Sequence, residues 1–189
     1  MPYDPEKHHR RSIRMPAYDY SAAGAYFITI CTKGRIPLFG KIVNGEMRLN
    51  ELGLAVENIW NHLPDDFPWI ALDTFVVMPD HIHMIFWIRD LPLRRNPYGH
   101  GFWGEYDSPL QTPRGTSKTV GSVVRGFKIR VTQWARTNTG NKHIWHRNYH
   151  ERIIRDDPAL NQIRRYVLDN PMNWNEKGDA NASPFFDPI

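Results

Sequence analysis

The chain predicts an α+β fold, a ferredoxin-like antiparallel sheet with its helices packed mainly on one face. Three observations predict it. Short runs rich in β-branched and aromatic residues alternate with stretches of helical periodicity. Turns built on Pro, Gly and Asn separate them. One run, His81 to Ile88, is apolar on both faces, as a strand in the middle of a sheet must be.

The elements follow in order. Ala25 to Thr32 reads as the first strand. Lys41-Ile-Val and Glu46-Met-Arg-Leu49 flank Asn44-Gly45, the favoured two-residue hairpin turn. Leu52, Val56, Ile59, Trp60 and Leu63 recur at helical spacing, and Pro64 is expected to end that helix. Ile70 to Met78 is a further strand, turning through Met78-Pro79-Asp80 into His81–Ile88. Val120, Val123, Val124, Phe127, Val131 and Trp134 mark a long amphipathic helix whose other face carries Lys118, Arg125, Lys128, Arg130 and Arg136. The segment from Ile144 to Ile154 reads as an irregular strand. Asp157 is then expected as an N-cap, with Pro158 at the first helical position. Leu160, Ile163, Val167 and Leu168 form that helix's apolar stripe, and Asn170-Pro171 closes it.

A chain of 189 residues suits one domain. We assign 1–175 to it, with a Pro/Gly-rich insertion at about 89–117 and a polar C-terminal tail at 176–189. Hydrophobic content of 41%, with 13% aromatic, excludes general disorder. No apolar run approaches the ~20 residues of a membrane span, and no signal peptide is recognisable at the N-terminus. Cys31 is the single cysteine, so neither an intramolecular disulfide nor a cysteine-based zinc knuckle is available, and a reducing cytoplasm is expected. The net charge of +4 tolerates a nucleic-acid partner without demanding one.

Two features carry chemistry. His81 and His83 are two apart in a strand, so both imidazoles leave the same face of an otherwise apolar run. Burying them together is costly unless they are hydrogen-bonded or coordinate a metal, and the pair by itself leaves both readings open. Tyr166 and Asn170 lie four apart and share a face of the last helix. They suit either a site or a helix–sheet seam closed by a capping Asn. His143, His146 and His150 scatter over both faces of their segment, and we expect no second metal site there.

Across the chain these motifs combine. They are Tyr18-Asp-Tyr, Gly24-Ala-Tyr-Phe-Ile-Thr-Ile-Cys-Thr, Gly45-Glu-Met-Arg-Leu-Asn-Glu-Leu-Gly53 and Val76-Val-Met-Pro-Asp-His-Ile-His83. Phe127-Lys128, Trp145-His-Arg-Asn-Tyr149, Ile154-Arg155 and Tyr166-Val-Leu-Asp-Asn-Pro-Met-Asn-Trp174 complete the set. The combination resembles the REP-associated tyrosine transposase branch of the single-tyrosine HUH transposases. Asp80 departs from it, standing where that family usually has Asn, and the 89–117 insertion is longer than the family norm.

The resemblance implies a metal-dependent single-stranded DNA endonuclease and strand transferase. In that reading His81, His83 and the side-chain oxygen of Asn170 hold one Mg²⁺ or Mn²⁺, a mixed N/O set that suits these ions better than structural zinc. Tyr166 is the nucleophile and becomes a 5′-phosphotyrosine. The implied partner is single-stranded DNA with hairpin (palindromic) elements. No small-molecule cofactor or membrane is expected, and a monomer is preferred over a homodimer. Arg125, Lys128, Arg136, Arg10 and Arg11 are candidate phosphate contacts, and Trp103, Trp145 and Tyr149 candidate stacking surfaces. Two alternatives are a non-catalytic DNA-binding regulator with the same fold and a relaxase- or replication-initiator-like nickase. The presence of all four of Tyr166, His81, His83 and Asn170 speaks against the first, since a pure binder has no need of them. The order, histidines before tyrosine, speaks against the second.

Overall fold

A computed structural model of the chain describes residues 18–90 and 118–174. Strand β1 (Gly24–Cys31) is followed by a hairpin, β2 (Gly40–Val43) and β3 (Glu46–Leu49), then by helices α1 (Glu51–Asn61) and α2 (Leu63–Asp66). Strands β4 (Ile70–Val77) and β5 (His81–Ile88) precede helix α3 (Val120–Thr139), strand β6 (His150–Ile154) and helix α4 (Asp157–Asp169). Four strands form one antiparallel sheet in the order β4-β5-β1-β6. Setting the small hairpin aside, the chain runs β-α-β-β-α-β with the first and third strands central, which is the ferredoxin-like topology.

The central strands are apolar on both faces, so both faces need cover. Tyr26, Ile28 and Ile30 of β1 and Ile82, Met84 and Phe86 of β5 pack beneath α1 and α3, against Val56, Trp60, Val123, Phe127 and Val131. The alternate residues, Ala25, Phe27 and Ile85, point the other way and are covered with Ile154 by Leu160, Ile163 and Val167 of α4. Helices α1 and α3 thus share a face, while α4 has the opposite face to itself among the described residues. This division positions the site, because His81 and His83 are in phase with Ile85.

Local chemistry sets the element ends. Asn44 and Gly45 both take positive φ, 54° and 77°, as the two-residue hairpin turn requires. Asn50 caps α1, its side chain accepting from the Gly53 amide at 2.9 Å. Gly53 is needed for close approach, since a Cβ there would stand 2.2 Å from the Phe39 carbonyl oxygen. Thr119 and Ser122 form a capping box at the start of α3, and Gly140 ends it in left-handed geometry.

Four expectations are corrected. Pro64 lies in the first turn of α2 rather than merely ending α1, consistent with its tolerance where no amide bond is lost. The N-cap of α4 is Asp156, one residue before Asp157, and it accepts from the Ala159 amide at 2.8 Å. Only His150–Ile154 of the 144–154 segment is strand, preceded by an isolated bridge between Thr32 and Trp145. Leu168 is 64% exposed, because it lies about 100° round the helix from Val167 and misses the sheet. The insertion beyond residue 90, Arg10, Arg11, Trp103 and the C-terminal tail lie outside the described residues.

Candidate active site

The turn into β5 docks on the end of β1. Met78 N–H donates to the His81 carbonyl at 2.8 Å. The Thr32 amide and hydroxyl both donate to the Asp80 carbonyl, at 2.9 and 3.0 Å. That seats His81 opposite Cys31 and His83 opposite Thr29, on the face that α4 covers. Both imidazoles are buried, 4% and 2% exposed.

Each ring is held by its Nδ1. The Asp80 carboxylate lies 2.6 Å from His81 Nδ1 and the Thr29 hydroxyl 2.6 Å from His83 Nδ1. Arg35 approaches the other Asp80 oxygen at 3.7 Å. A carboxylate only accepts, so His81 Nδ1 carries the proton and its Nε2 lone pair is bare in the neutral ring. The Thr29 hydroxyl can donate or accept and so serves either tautomer of His83. The two Nε2 atoms consequently face one another at 3.2 Å.

Electrostatics keep the pair neutral. Burial drives His83 well below the ordinary imidazole range, and the neighbouring His81, Arg35 and His150 push the same way. Burial lowers His81 too, with Asp80 opposing. Neutral imidazoles with converging lone pairs are the protonation state that metal ligation needs. Two nitrogens each about 2.1 Å from one ion, at roughly right angles, stand about 3 Å apart, close to the separation here. The carboxylate on His81 Nδ1 is the outer partner that metal-bound histidines commonly have. The donor set therefore fits a divalent cation. The Asp80 carboxylate engages the ring nitrogen remote from the converging Nε2 atoms.

Tyr166 comes to this pair from α4. Its hydroxyl lies 3.5 Å from His83 Nε2, and its ring meets Phe27 edge-on at a centroid distance of 6.2 Å. The helix is fixed by its apolar stripe and by a second anchor that sequence reasoning missed. The register of β4 shifts between Leu72 and Phe75, and Asp73 in that irregularity takes both prongs of Arg164 at 2.8 and 2.5 Å. Trp87 Nε1 and the Thr74 hydroxyl also donate to Asp73, at 3.0 and 2.9 Å. Burial alone would raise the Asp73 carboxyl, but these bonds and the Arg164 charge outweigh it and bring it down to about 2.

Asn170 ends α4 with φ −57° and ψ −43°, so it stays helical although proline follows, and the four-residue offset from Tyr166 is kept. The half-buried Asn170 belongs to the helix on the histidine face. Beyond it the chain folds back, and the Trp174 ring stands 5.9 Å from that of His81. Thr29 and Trp174 fall within the sequence motifs but were not read as site residues, because only strand register and the turn after α4 bring them here.

The candidate phosphate contacts lie elsewhere. Arg125, Lys128 and Arg136 are on α3, behind the sheet from the histidines, with Arg125 and Arg136 exposed. The Lys128 ammonium donates to the His146 and Arg147 carbonyls at 2.7 and 3.3 Å, and burial lowers it to about 8. Arg130 pairs with Asp66. Trp145 packs on Phe39 and Phe127, a core role. No cluster of three or more His, Cys, Asp or Glu side chains suited to a metal occurs among the described residues, His143, His146 and His150 included. Among the same residues no helix is long and apolar enough to cross a membrane.

This α+β fold is shared with a solved REP-associated tyrosine transposase bound to a REP hairpin. That structure aligns with a TM-score of 0.54 and 20% identity, over 85% of this chain and 73% of the other. The chain belongs to the same family as an uncharacterized protein of Haemophilus influenzae, 43% identical over 180 residues, 92% of this chain and 94% of that protein. No protein-family model matches it.

Proposed function

We propose that this protein is a REP-associated tyrosine transposase, a metal-dependent enzyme that cleaves and rejoins single-stranded DNA bearing hairpins. The observation that carries the reading is the Tyr166 hydroxyl at 3.5 Å from His83 Nε2, over a pair of Nε2 atoms 3.2 Å apart. The solved transposase that shares the fold is bound to a REP hairpin, which supports hairpin DNA as the substrate class.

A Mg²⁺ or Mn²⁺ held by His81, His83 and Asn170 would supply Lewis-acid polarisation of the scissile phosphate. The chain's own residues do the rest. Asp80 and Thr29 fix the two rings, so the site is organised before DNA arrives. Phe27 and the Asp73–Arg164 anchor hold Tyr166 beside the scissile position, which removes much of the entropic cost of attack. Tyr166 Oη forms the bond to phosphorus, the P–O3′ bond breaks, and the phenolic proton ends on the departing 3′ oxygen. The covalent 5′-phosphotyrosine conserves the phosphodiester, so a second 3′-hydroxyl can reverse the step without an external energy source. We further assign the protein to the cytoplasm, acting as a monomer.

The test uses labelled single-stranded hairpins from the sequence flanking the gene, incubated with Mg²⁺ or Mn²⁺. A covalent adduct on the 5′ phosphate of the downstream fragment, abolished by chelator, is the expected result. Binding without any adduct would instead favour the non-catalytic regulator.

A further inference from the structure

Between α3 and the segment leading into β6 lies an open groove of about 500 Å³. Its lining combines apolar surface from Ile129, 47% exposed, and Trp145 with the exposed cations Arg125 and Arg147 and the half-buried Tyr149. No carboxylate among the described residues lines it. The groove is held open by two opposed ties. The Lys128 ammonium donates to the carbonyls of His146 and Arg147, while Trp145 Nε1 donates back to the Lys128 carbonyl at 3.2 Å. The wall therefore does not depend on a ligand to form.

Its place in the sheet links it to the histidine pair. The His146 amide donates to the Cys31 carbonyl at 2.8 Å, and Cys31 is the cross-strand partner of His81. The backbone at His146 thus stands two strand spacings, roughly 10 Å, from that of His81. A single strand held at Tyr166 reaches the groove within a few nucleotides by passing over this end of the sheet.

We propose that the groove is a nucleotide subsite for the single strand flanking the cleavage position, with Tyr149 and Ile129 against an unstacked base and Arg125 and Arg147 on adjacent phosphates. It rests on the reading of the substrate as single-stranded DNA. An aromatic and apolar surface whose charged side chains are all cationic, with the neutral Thr132 and Gln133 beside them, is a combination that such strands select, since every base has a π-face and every linkage a negative charge. An acidic or purely apolar partner would leave one half of that lining unused.

The test measures the affinity of the full-length protein for a labelled hairpin with a single-stranded flank, across a salt series. Variants are Ile129→Glu and Arg147→Ala, with Lys41→Glu on the exposed β2 strand as a control that also changes net charge. Melting temperatures verify that each is folded. Ile129→Glu is expected to bind about tenfold more weakly than the control, and Arg147→Ala to reduce the salt slope by about 0.7. An abasic scan of the flank should find one position that costs the wild type about tenfold and Tyr149→Leu no more than about twofold. Affinities within about twofold of the control for both groove variants, or an abasic scan flat in the wild type, would overturn the proposal. Adduct formation by the wild type is read in parallel. Absence of an adduct sinks the transposase reading alone, whereas a normal adduct with indifferent groove variants sinks the subsite alone.

Discussion

At the scale of single residues, the site depends on groups that orient other groups. Tyr166→Phe removes one hydroxyl and leaves the ring on Phe27, so folding and DNA binding should survive while the covalent adduct disappears. Adduct formed by the Phe protein in a denaturing gel assay would refute the nucleophile assignment. Thr29→Val keeps the shape but deletes the hydroxyl that holds His83 Nδ1, the ring nitrogen remote from His81. Loss of such an outer partner typically weakens metal affinity about 10–100-fold, so half-maximal activation should move to higher Mn²⁺ with little change at saturation. An unchanged activation curve would mean that the hydroxyl does not orient the ring. Asn170→Ala separates ligand from cap. A ligand's loss should be partly rescued by more metal, whereas loss of a cap should mainly lower stability, by about 1 kcal/mol.

At the scale of elements, α4 is the critical part, since it brings the tyrosine to a sheet that already holds the histidines. Its apolar stripe is narrow, three buried side chains, and Arg164 lies only two residues from Tyr166. Arg164→Met should therefore loosen the helix and take the charged partner from the half-buried Asp73 carboxylate, which keeps Trp87 and Thr74 as donors, costing about 2 kcal/mol. Adduct formation should slow more than DNA affinity falls, since the helix carries Tyr166, the proposed nucleophile. Equal losses in both would identify a purely global effect. The Asp73 carboxyl is held below its ordinary value, so its contribution to stability is full above about pH 5 and is lost as pH falls through about 2. Asp73→Asn should flatten the acid limb of a thermal-melt profile in that window, and an unchanged limb would assign the acid sensitivity elsewhere.

At the scale of the whole molecule, a net charge of +4 gives modest non-specific attraction to phosphates. Selectivity must come from shaped contacts, so hairpin-bearing single strands should bind more tightly than a fully paired duplex of the same sequence, and affinity should fall as salt rises. Equal affinity for the two forms at matched ionic strength would argue against a single-strand enzyme. The candidate cations of α3 lie behind the sheet from the histidine pair, so a DNA strand that uses both must cross an edge or end of the sheet. That arrangement suits a flexible single strand and not a rigid duplex.

The sequence by itself determined most of the strands and helices and singled out His81, His83, Tyr166 and Asn170, of which the structure brings the first three together. Period-two alternation in His81–Ile88 settled that both imidazoles share a face, and the four-residue offset settled that Tyr166 and Asn170 share another, because these periodicities are properties of local backbone geometry. What local geometry does not contain is which element lies against which. The placement of α4 on the histidine face followed from central strands apolar on both sides, which leaves two faces to cover and long-range packing to choose between them. Thr29 beside His83 needed the β1–β5 register. Asp73 beneath Arg164 needed an irregularity in β4 and a contact 91 residues apart in the chain. Even the role of Asp80, adjacent to His81 in sequence, needed the tertiary fold, which decided that its carboxylate faces His81 Nδ1.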